Sequence, residues 1–187
     1  MTSSITVITT ANRARRFVPT DEARLEAIVD SLRRSGQLFS GKPLIIGSGA
    51  QTEVFAAASI ACVEIESSRD LEADLPSQHN LSLTALTPEQ RAEPFVGGLS
   101  GDHFSARVEF FFIGGHVLYM AAEGVRKPAL AERLMNLTGL FERPALHYRP
   151  AQGGIGLMNP RAMTRFVITP GVPDLPSDAW FAEAQSV

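Results

Sequence analysis

The chain has 187 residues, of which 44% are hydrophobic and 20% are charged, a composition typical of one globular domain that buries a core. Its longest nearly apolar stretch, residues 110–122, is interrupted by Gly114, Gly115 and His116 and is shorter than the roughly 20 residues of a membrane helix, so we expect no membrane span. Seventeen basic and twenty acidic residues give a net charge of −3, which provides no general attraction to nucleic acid or anionic lipid.

The cysteine content and the first residues indicate a cellular compartment. A single cysteine, Cys62, excludes a disulfide bond within the chain. The first residues contain no basic segment followed by an apolar stretch, so we expect no secretory signal. Both features favour the reducing cytoplasm.

The first third of the chain predicts strand, helix and strand. Residues 5–10 are rich in β-branched side chains, which favour a strand. Residues 21–35 predict a helix, with Thr20 as its cap, Asp21 in its first turn and Gly36 after its end. The apolar residues of this segment recur at intervals of three and four, as on one buried helix face: Leu25, Ile28, Val29 and Leu32. Residues 43–47 and 61–66 predict two further strands.

Two glycines follow the strand at residues 43–47 and are similar to the beginning of a dinucleotide-binding unit. Gly47 and Gly49 have the spacing of its first two glycines, but Thr52 occupies the place of the third. Glu64 also follows too soon for a full crossover helix and a second strand. We therefore interpret the segment as a glycine turn between two strands and expect no cofactor.

The middle of the chain combines a long loop region with a hairpin. Residues 67–101 predict loops, apart from a short helical turn at Pro88 in which Thr87 and Gln90 have the spacing of a capping box. Residues 104–113 and 116–122 predict a β-hairpin with Gly114 and Gly115 as a two-residue turn. If Ile113 faces His116, the core side carries Val108, Phe110, Phe112, Val117 and Tyr119, and the other side carries Arg107, Glu109, Phe111, Leu118 and Met120.

The remaining segments complete the predicted fold. Residues 128–137 predict a second helix, residues 145–148 and 165–169 predict strands, and residues 177–181 predict a short capped helix that carries Trp180. We expect the α+β class, as a mostly antiparallel sheet with two main helices packed on one face. Residues 1–169 would form a single domain, followed by a proline-punctuated tail at residues 170–187.

A glycine-rich segment near the C-terminus predicts an anion site. A loop with Gly153, Gly154 and Gly156 leads to Asn159 as a helix cap and Pro160 as the first helical residue. Exposed backbone amides beside a helix start, together with the guanidinium groups of Arg161 and Arg165, can bind a phosphate or a carboxylate. The alternative is a surface loop with two solvated arginines.

Three residues of the hairpin region are candidates for acid or base catalysis: Asp102, Glu109 and His116. Glu109 lies two residues from Arg107 on the same predicted face, so we favour a structural ion pair, of these two residues with each other or with a charge on a helix. The functional alternative is that Glu109 is a general base in a partly apolar pocket.

The histidines and the cysteine do not predict a metal or nucleophile site. His103 and His116 are too far apart along one strand to share an ion, and no metal-ligand spacing is present, so we expect no metal site. Cys62 is expected beside Glu64 and Glu66, and acidic neighbours raise the pKa of a thiol, so we expect an unreactive cysteine.

The segment Leu99-Ser100-Gly101-Asp102, followed by two strands around a Gly-Gly turn, resembles the Leu-Ser-Gly-Cys segment of toxin-type glutamine deamidases related to cytotoxic necrotizing factor. In that family the cysteine is the nucleophile and a histidine on the second strand is its base. Here Asp102 stands at the cysteine position, and Ala121 or Ala122 stands where the histidine falls. The resemblance implies at most an inactive relative, because the covalent mechanism needs both groups.

Two classes of function follow. No complete catalytic motif is present, and the hairpin edge and Trp180 both offer surfaces for joining subunits, so the leading hypothesis is a self-associating binding or assembly module. The alternative is an enzyme or binding protein for a small anionic molecule, with residues 67–101 as a lid and Arg161 and Arg165 as a clamp. Three clustered arginines, Arg13, Arg15 and Arg16, lack interleaved aromatic residues, so we do not expect nucleic-acid binding.

Overall fold

The computed structural model describes residues 3–19, 21–33, 38–47, 50–68, 70–71, 81–125, 139–171, 175, 179–180 and 182. Their elements in chain order are β1 (Ser4–Thr9), β2 (Ala14–Phe17), α1 (Glu22–Arg33), β3 (Leu44–Gly47), β4 (Thr52–Phe55), a 3₁₀ turn (Ala57–Ser59), β5 (Ile60–Glu66), β6 (Leu81–Ala85), α2 (Pro88–Ala92), β7 (Gly98–Ser100), β8 (His103–Phe112), β9 (Val117–Val125), α3 (Gly139–Glu142), β10 (Leu146–Tyr148), β11 (Ile155–Met158), a second 3₁₀ turn (Pro160–Ala162) and β12 (Met163–Thr169).

The strands form three sheets. Sheet 1 has the order β10-β11-β5-β1-β2, and sheet 2 has the order β12-β8-β9-β6 with β7 also paired to β8. The third sheet consists of β3 and β4, which pair antiparallel from Leu44 with Phe55 to Gly47 with Thr52, so a strand and not a crossover helix follows the glycine segment. Every pair of named strands is antiparallel.

The predicted α+β class is wrong, because the structure is mostly β and its described residues contain one helix of seven or more residues. That helix is α1, which begins after Asp21, whose carboxylate accepts a hydrogen bond from the amide of Arg24 at 2.8 Å. The predicted cap Thr20 and the predicted second helix at residues 128–137 lie outside the described residues. The short strands β2, β4 and β6 form where no strand was predicted. Strands β2 and β4 pair with the strands that precede them, β1 and β3, whereas β6 pairs with β9, which lies far along the chain.

Sheet 1 is covered on both faces. One face packs against sheet 2 and contributes Cys62, Leu146 and Met158 to the core between the two sheets. The other face packs against α1 and the β3–β4 hairpin around Leu25 and Phe55. Two sheets and an outer layer of one helix and one hairpin therefore replace the expected single sheet with two helices.

The β8–β9 hairpin forms as predicted, but its register differs by one residue. Phe111 pairs with Val117 and Glu109 with Tyr119, and the amide of Phe112 bonds to the carbonyl oxygen of His116 at 2.9 Å. The loop between that pair therefore has three residues, 113–115, rather than two. Because a one-residue slip moves every side chain of a strand to the other face, the core side of β9 carries Leu118 and Met120.

The chain passes from sheet 1 to sheet 2 at the corner that follows β11. Asn159 is 1% exposed there and donates from its side-chain nitrogen to the carbonyl oxygen of Ile60 at 2.9 Å. Its side-chain oxygen accepts from the amide of Arg161 at 3.1 Å. Asn159 therefore holds the corner by satisfying backbone groups of both adjoining segments. No helix in the described part of the chain is long and apolar enough to cross a membrane.

The observed register makes a testable prediction. Met120→Ala removes a fully buried side chain and should lower the free energy of unfolding by about 2–5 kcal/mol. Val117→Ala lies on the outward face of β9, where the side chain is partly exposed, and should cost less than about 1 kcal/mol. Urea unfolding measures both values. A larger loss for Val117→Ala than for Met120→Ala would contradict the observed register and support the predicted one.

Candidate functional site

The segment between β6 and β7 folds over the outward face of sheet 2. The amide of Leu86 donates to the carbonyl oxygen of Tyr119 at 2.8 Å, which attaches the segment to β9. The capping box predicted at Thr87 and Gln90 is confirmed, with reciprocal bonds of 3.3 Å and 2.9 Å, so α2 begins at Pro88. The predicted loop region therefore contains a short helix with a defined place above the sheet.

Arg107 of β8 fixes the other end of α2. Its guanidinium group donates to the carbonyl oxygens of Gln90, Arg91 and Glu93 at 2.7, 3.2 and 2.9 Å. The same group lies 4.9 Å from the centre of the Phe95 ring. These carbonyl groups belong to the last turn of α2 and have no partner within the helix, so one strand side chain satisfies the end of the helix.

A cavity of about 320 Å³ lies between α2 and the strands. Its size is within the usual range for small-molecule sites. The cavity has an apolar part and a polar part, and its lining is Leu86, Pro88, Arg91, Ala92, Arg107, Val108, Glu109, Tyr119 and Met120.

Three side chains of this cavity make no hydrogen bond or ion pair with other described residues through their polar groups. The Arg91 guanidinium lies over the Tyr119 ring at 3.7 Å from its centre, and its N–H groups donate to no described residue. Glu109 stands directly opposite Tyr119 across the hairpin and is partly buried. Neither the Glu109 carboxylate nor the Tyr119 hydroxyl is hydrogen-bonded or ion-paired within the described residues. The predicted Arg107–Glu109 ion pair is absent, because Arg107 points to the carbonyl groups of α2.

The three catalytic candidates do not share a site. Asp102 is exposed in the turn before β8, whereas His116 lies beside the turn at the other end of that strand. His116 shares the core-facing side of the hairpin with Phe112, and the two rings are 5.7 Å apart. Glu109 lies on the outward face, so the sheet itself separates it from His116. Of the three, Glu109 is the one that lines the cavity.

The structure also separates the parts of the predicted anion site. Gly153 and Gly154 adopt positive φ angles of 86° and 85° in the turn before β11, whereas Asn159 follows the end of that strand. Gly156 lies within β11. Strand β11 therefore lies between the glycine turn and the two arginines. The Asn159 side chain already bonds to backbone groups at the corner after β11.

Of the two arginines in that prediction, Arg161 is exposed in the second 3₁₀ turn. Arg165 lies over the Phe111 ring at 3.9 Å, on the outward face of sheet 2. Anion binding by this segment stays a prediction.

Cys62 is buried in a structural cluster. Gly156 leaves room for the Tyr148 ring, since a Cβ atom on Gly156 would lie 2.2 Å from that ring. The Tyr148 hydroxyl donates to the Glu64 carboxylate at 2.7 Å. Burial raises the pKa of the Cys62 thiol well above its usual value, and the Glu64 charge adds to this effect. The thiol is therefore protonated and suited to packing.

The arginine cluster near the N-terminus and the possible metal ligands were the remaining features considered in the sequence. Arg15 bonds to Glu53 and Arg16 to Glu66, so two of the three clustered arginines have carboxylate partners. Among the residues the structure describes, no three His, Cys, Asp or Glu side chains are grouped to hold a metal ion.

Sequence reasoning missed Arg91 and Tyr119 as site residues. The capping box located the helix that carries Arg91, but no local signal shows which sheet face lies beneath that helix. No family model, curated protein or solved structure matches the chain, so the site is interpreted from its own geometry.

Burial of His116 predicts a pH dependence of stability. Its Nε2 atom is buried without a hydrogen-bond partner, and burial lowers the pKa of the imidazole. The unfolded chain then binds the proton more readily, so stability is full above the unfolded-state pKa of about 6.5 and decreases as the pH falls below it. Between about pH 7.5 and 5.5, His116→Phe should lose less stability than the parent protein.

Thermal unfolding at the two pH values measures this difference. His103→Phe is the matched control, because His103 is an exposed histidine of the same hairpin. The control should keep the pH dependence of the parent. Equal losses of melting temperature in the parent and in His116→Phe would show that His116 does not contribute.

Proposed function

We propose that the protein binds a small organic anion, a carboxylate or a phosphate, in the cavity beneath α2. The observation that carries this proposal is the Arg91 guanidinium, which lies over the Tyr119 ring at the cavity, 3.7 Å from the ring centre, with its N–H groups not bonded to the described residues. A guanidinium group binds carboxylate and phosphate through two parallel hydrogen bonds. The contact with the Tyr119 ring restricts the motion of the guanidinium group, which lowers the entropic cost of binding.

The neighbouring groups support an anion with an apolar part. Leu86, Pro88 and Ala92 provide the apolar lining, so burial of a hydrocarbon group adds to the affinity. Arg107 lines the same cavity and adds positive charge, although three carbonyl groups already accept its hydrogen bonds. Two guanidinium groups and one carboxylate make the local formal charge positive.

We propose binding rather than acid–base catalysis for this cavity. A catalytic pair needs two groups within reach of one substrate, and Asp102 and His116 lie away from Glu109. The earlier hypothesis of a lid and an arginine clamp also changes. Residues 81–85 of the supposed lid form β6 within sheet 2, and Arg91 takes the place of Arg161 and Arg165.

Self-association stays a prediction. The outer edges of the β8–β9 hairpin are not open for pairing with another subunit, because β8 also pairs with β12 and β7, and β9 also pairs with β6. The exposed tryptophan favours it, since the Trp180 side chain is 96% exposed.

Substitution of Arg91 tests the proposed function. Isothermal titration with isocaproate, a branched carboxylate, should detect binding to the parent protein. Arg91→Gln should weaken this binding by about 10- to 100-fold, the usual effect of losing hydrogen bonds between charged groups.

Arg165→Gln is the matched control. Arg165 also lies over an aromatic ring, that of Phe111, but it does not line the cavity. The control should bind isocaproate as the parent does. Equal weakening by both substitutions, or unchanged binding by Arg91→Gln, would contradict the proposed site.

A further inference from the structure

The unpaired carboxylate of Glu109 requires an explanation. Glu109 is partly buried at the cavity and has no cationic partner among the described residues. Arg107 is on the same face two residues earlier, but its guanidinium group faces the end of α2. Arg91 lies on the ring of Tyr119. The two nearby cations of the protein thus leave the carboxylate available.

Arg91 and Glu109 lie close enough to the same residue, Tyr119, for one small ligand to contact both. Glu109 and Tyr119 are direct partners across the hairpin, and side chains of such partners stand about 5 Å apart on the same face. Arg91 covers the ring of that same tyrosine. A free guanidinium group and a free carboxylate therefore flank Tyr119 within one cavity.

The two charges select against ligands with a single charge. A simple anion that binds Arg91 brings a second negative charge close to Glu109, and like charges in a partly desolvated site repel. A simple cation at Glu109 meets Arg91 and Arg107 in the same way. A molecule with both an anionic and a cationic group satisfies Arg91 and Glu109 together and leaves neither charge unpaired.

We propose that the ligand is a zwitterion of the amino-acid class, with its carboxylate on Arg91, its ammonium group on Glu109 and its side chain against the apolar lining. This inference rests on the proposed function, because it assigns the second polar group of the same cavity. Glu109 is then a specificity-determining binding residue. The Tyr119 hydroxyl is available as a further hydrogen-bonding group for either end of the ligand.

Three matched probes test the inference by isothermal titration: L-leucine carries both charged groups, isocaproate carries the carboxylate, and isoamylamine carries the ammonium group. All three have the same branched hydrocarbon chain. The parent protein should bind L-leucine at least about tenfold more tightly than either of the other two. Glu109→Gln should weaken L-leucine binding by at least about tenfold and leave isocaproate binding unchanged or stronger.

Glu123→Gln is the control for loss of a carboxylate. Glu123 is exposed on the outward face of β9 and does not line the cavity, so this variant should bind L-leucine as the parent does. Thermal unfolding of each variant confirms that the fold is retained. A Glu109→Gln variant that fails to fold is replaced by Glu109→Met, for which the same loss of L-leucine binding is expected.

The outcomes separate the two proposals. If isocaproate binds as tightly as L-leucine and Glu109→Gln changes neither affinity, the zwitterion inference is overturned and the anion site stands. If the parent protein binds none of the three probes, both proposals are overturned. If isoamylamine binds most tightly, Glu109 alone forms the site and the role of Arg91 is contradicted.

Discussion

The bonds from Arg107 to the end of α2 are the interaction on which the candidate site depends. A five-residue helix has little stability of its own, so its position must come from contacts outside the helix. Arg107 supplies them by donating to three carbonyl groups from a strand whose place in sheet 2 is fixed on both sides. The cavity is the space that remains between the attached helix and the sheet. The same bonds direct Arg107 away from Glu109, so the interaction that builds the cavity also leaves its carboxylate unpaired.

The location of the site follows from how the sheets are covered. Sheet 1 is buried on both faces, and the inward face of sheet 2 completes the core between them. Polar groups in these layers serve the fold: Asn159 holds a corner, and Tyr148 bonds to Glu64 beside the buried Cys62. The outward face of sheet 2 is different, because it carries charged and aromatic side chains at alternate positions with a short helix above them. A ligand can reach these groups without disturbing the core.

Local sequence patterns predicted the elements that depend on local physics. The spacing of Leu25 and Val29 indicates α1, and the spacing of Thr87 and Gln90 indicates the start of α2. The hairpin was found from its glycines, but a three-residue loop was taken for a two-residue turn, and this error exchanged the two faces of β9. The α+β class was wrong because sheet 1 obtains part of its cover from a hairpin and a second sheet rather than from a pair of helices.

The site was less predictable than the fold, because its groups come from segments that only the tertiary structure brings together. Glu109 was recognised from its place on a half-apolar strand, whereas its expected partner Arg107 bonds to a helix whose position no local pattern encodes. The glycine-rich segment before Arg161 had the right composition for an anion site. Strand β11 separates its two halves, which the composition could not show.

The most direct test of the account is to map the binding surface by NMR. Amide chemical shifts of the isotope-labelled protein would be followed during a titration with L-leucine. The account predicts the largest shift changes at the cavity, at the amides of Leu86, Arg91, Glu109 and Tyr119. Shift changes concentrated at Gly153, Gly154 and Arg161 instead, with the cavity unchanged, would contradict the central claim that the space beneath α2 is the ligand site.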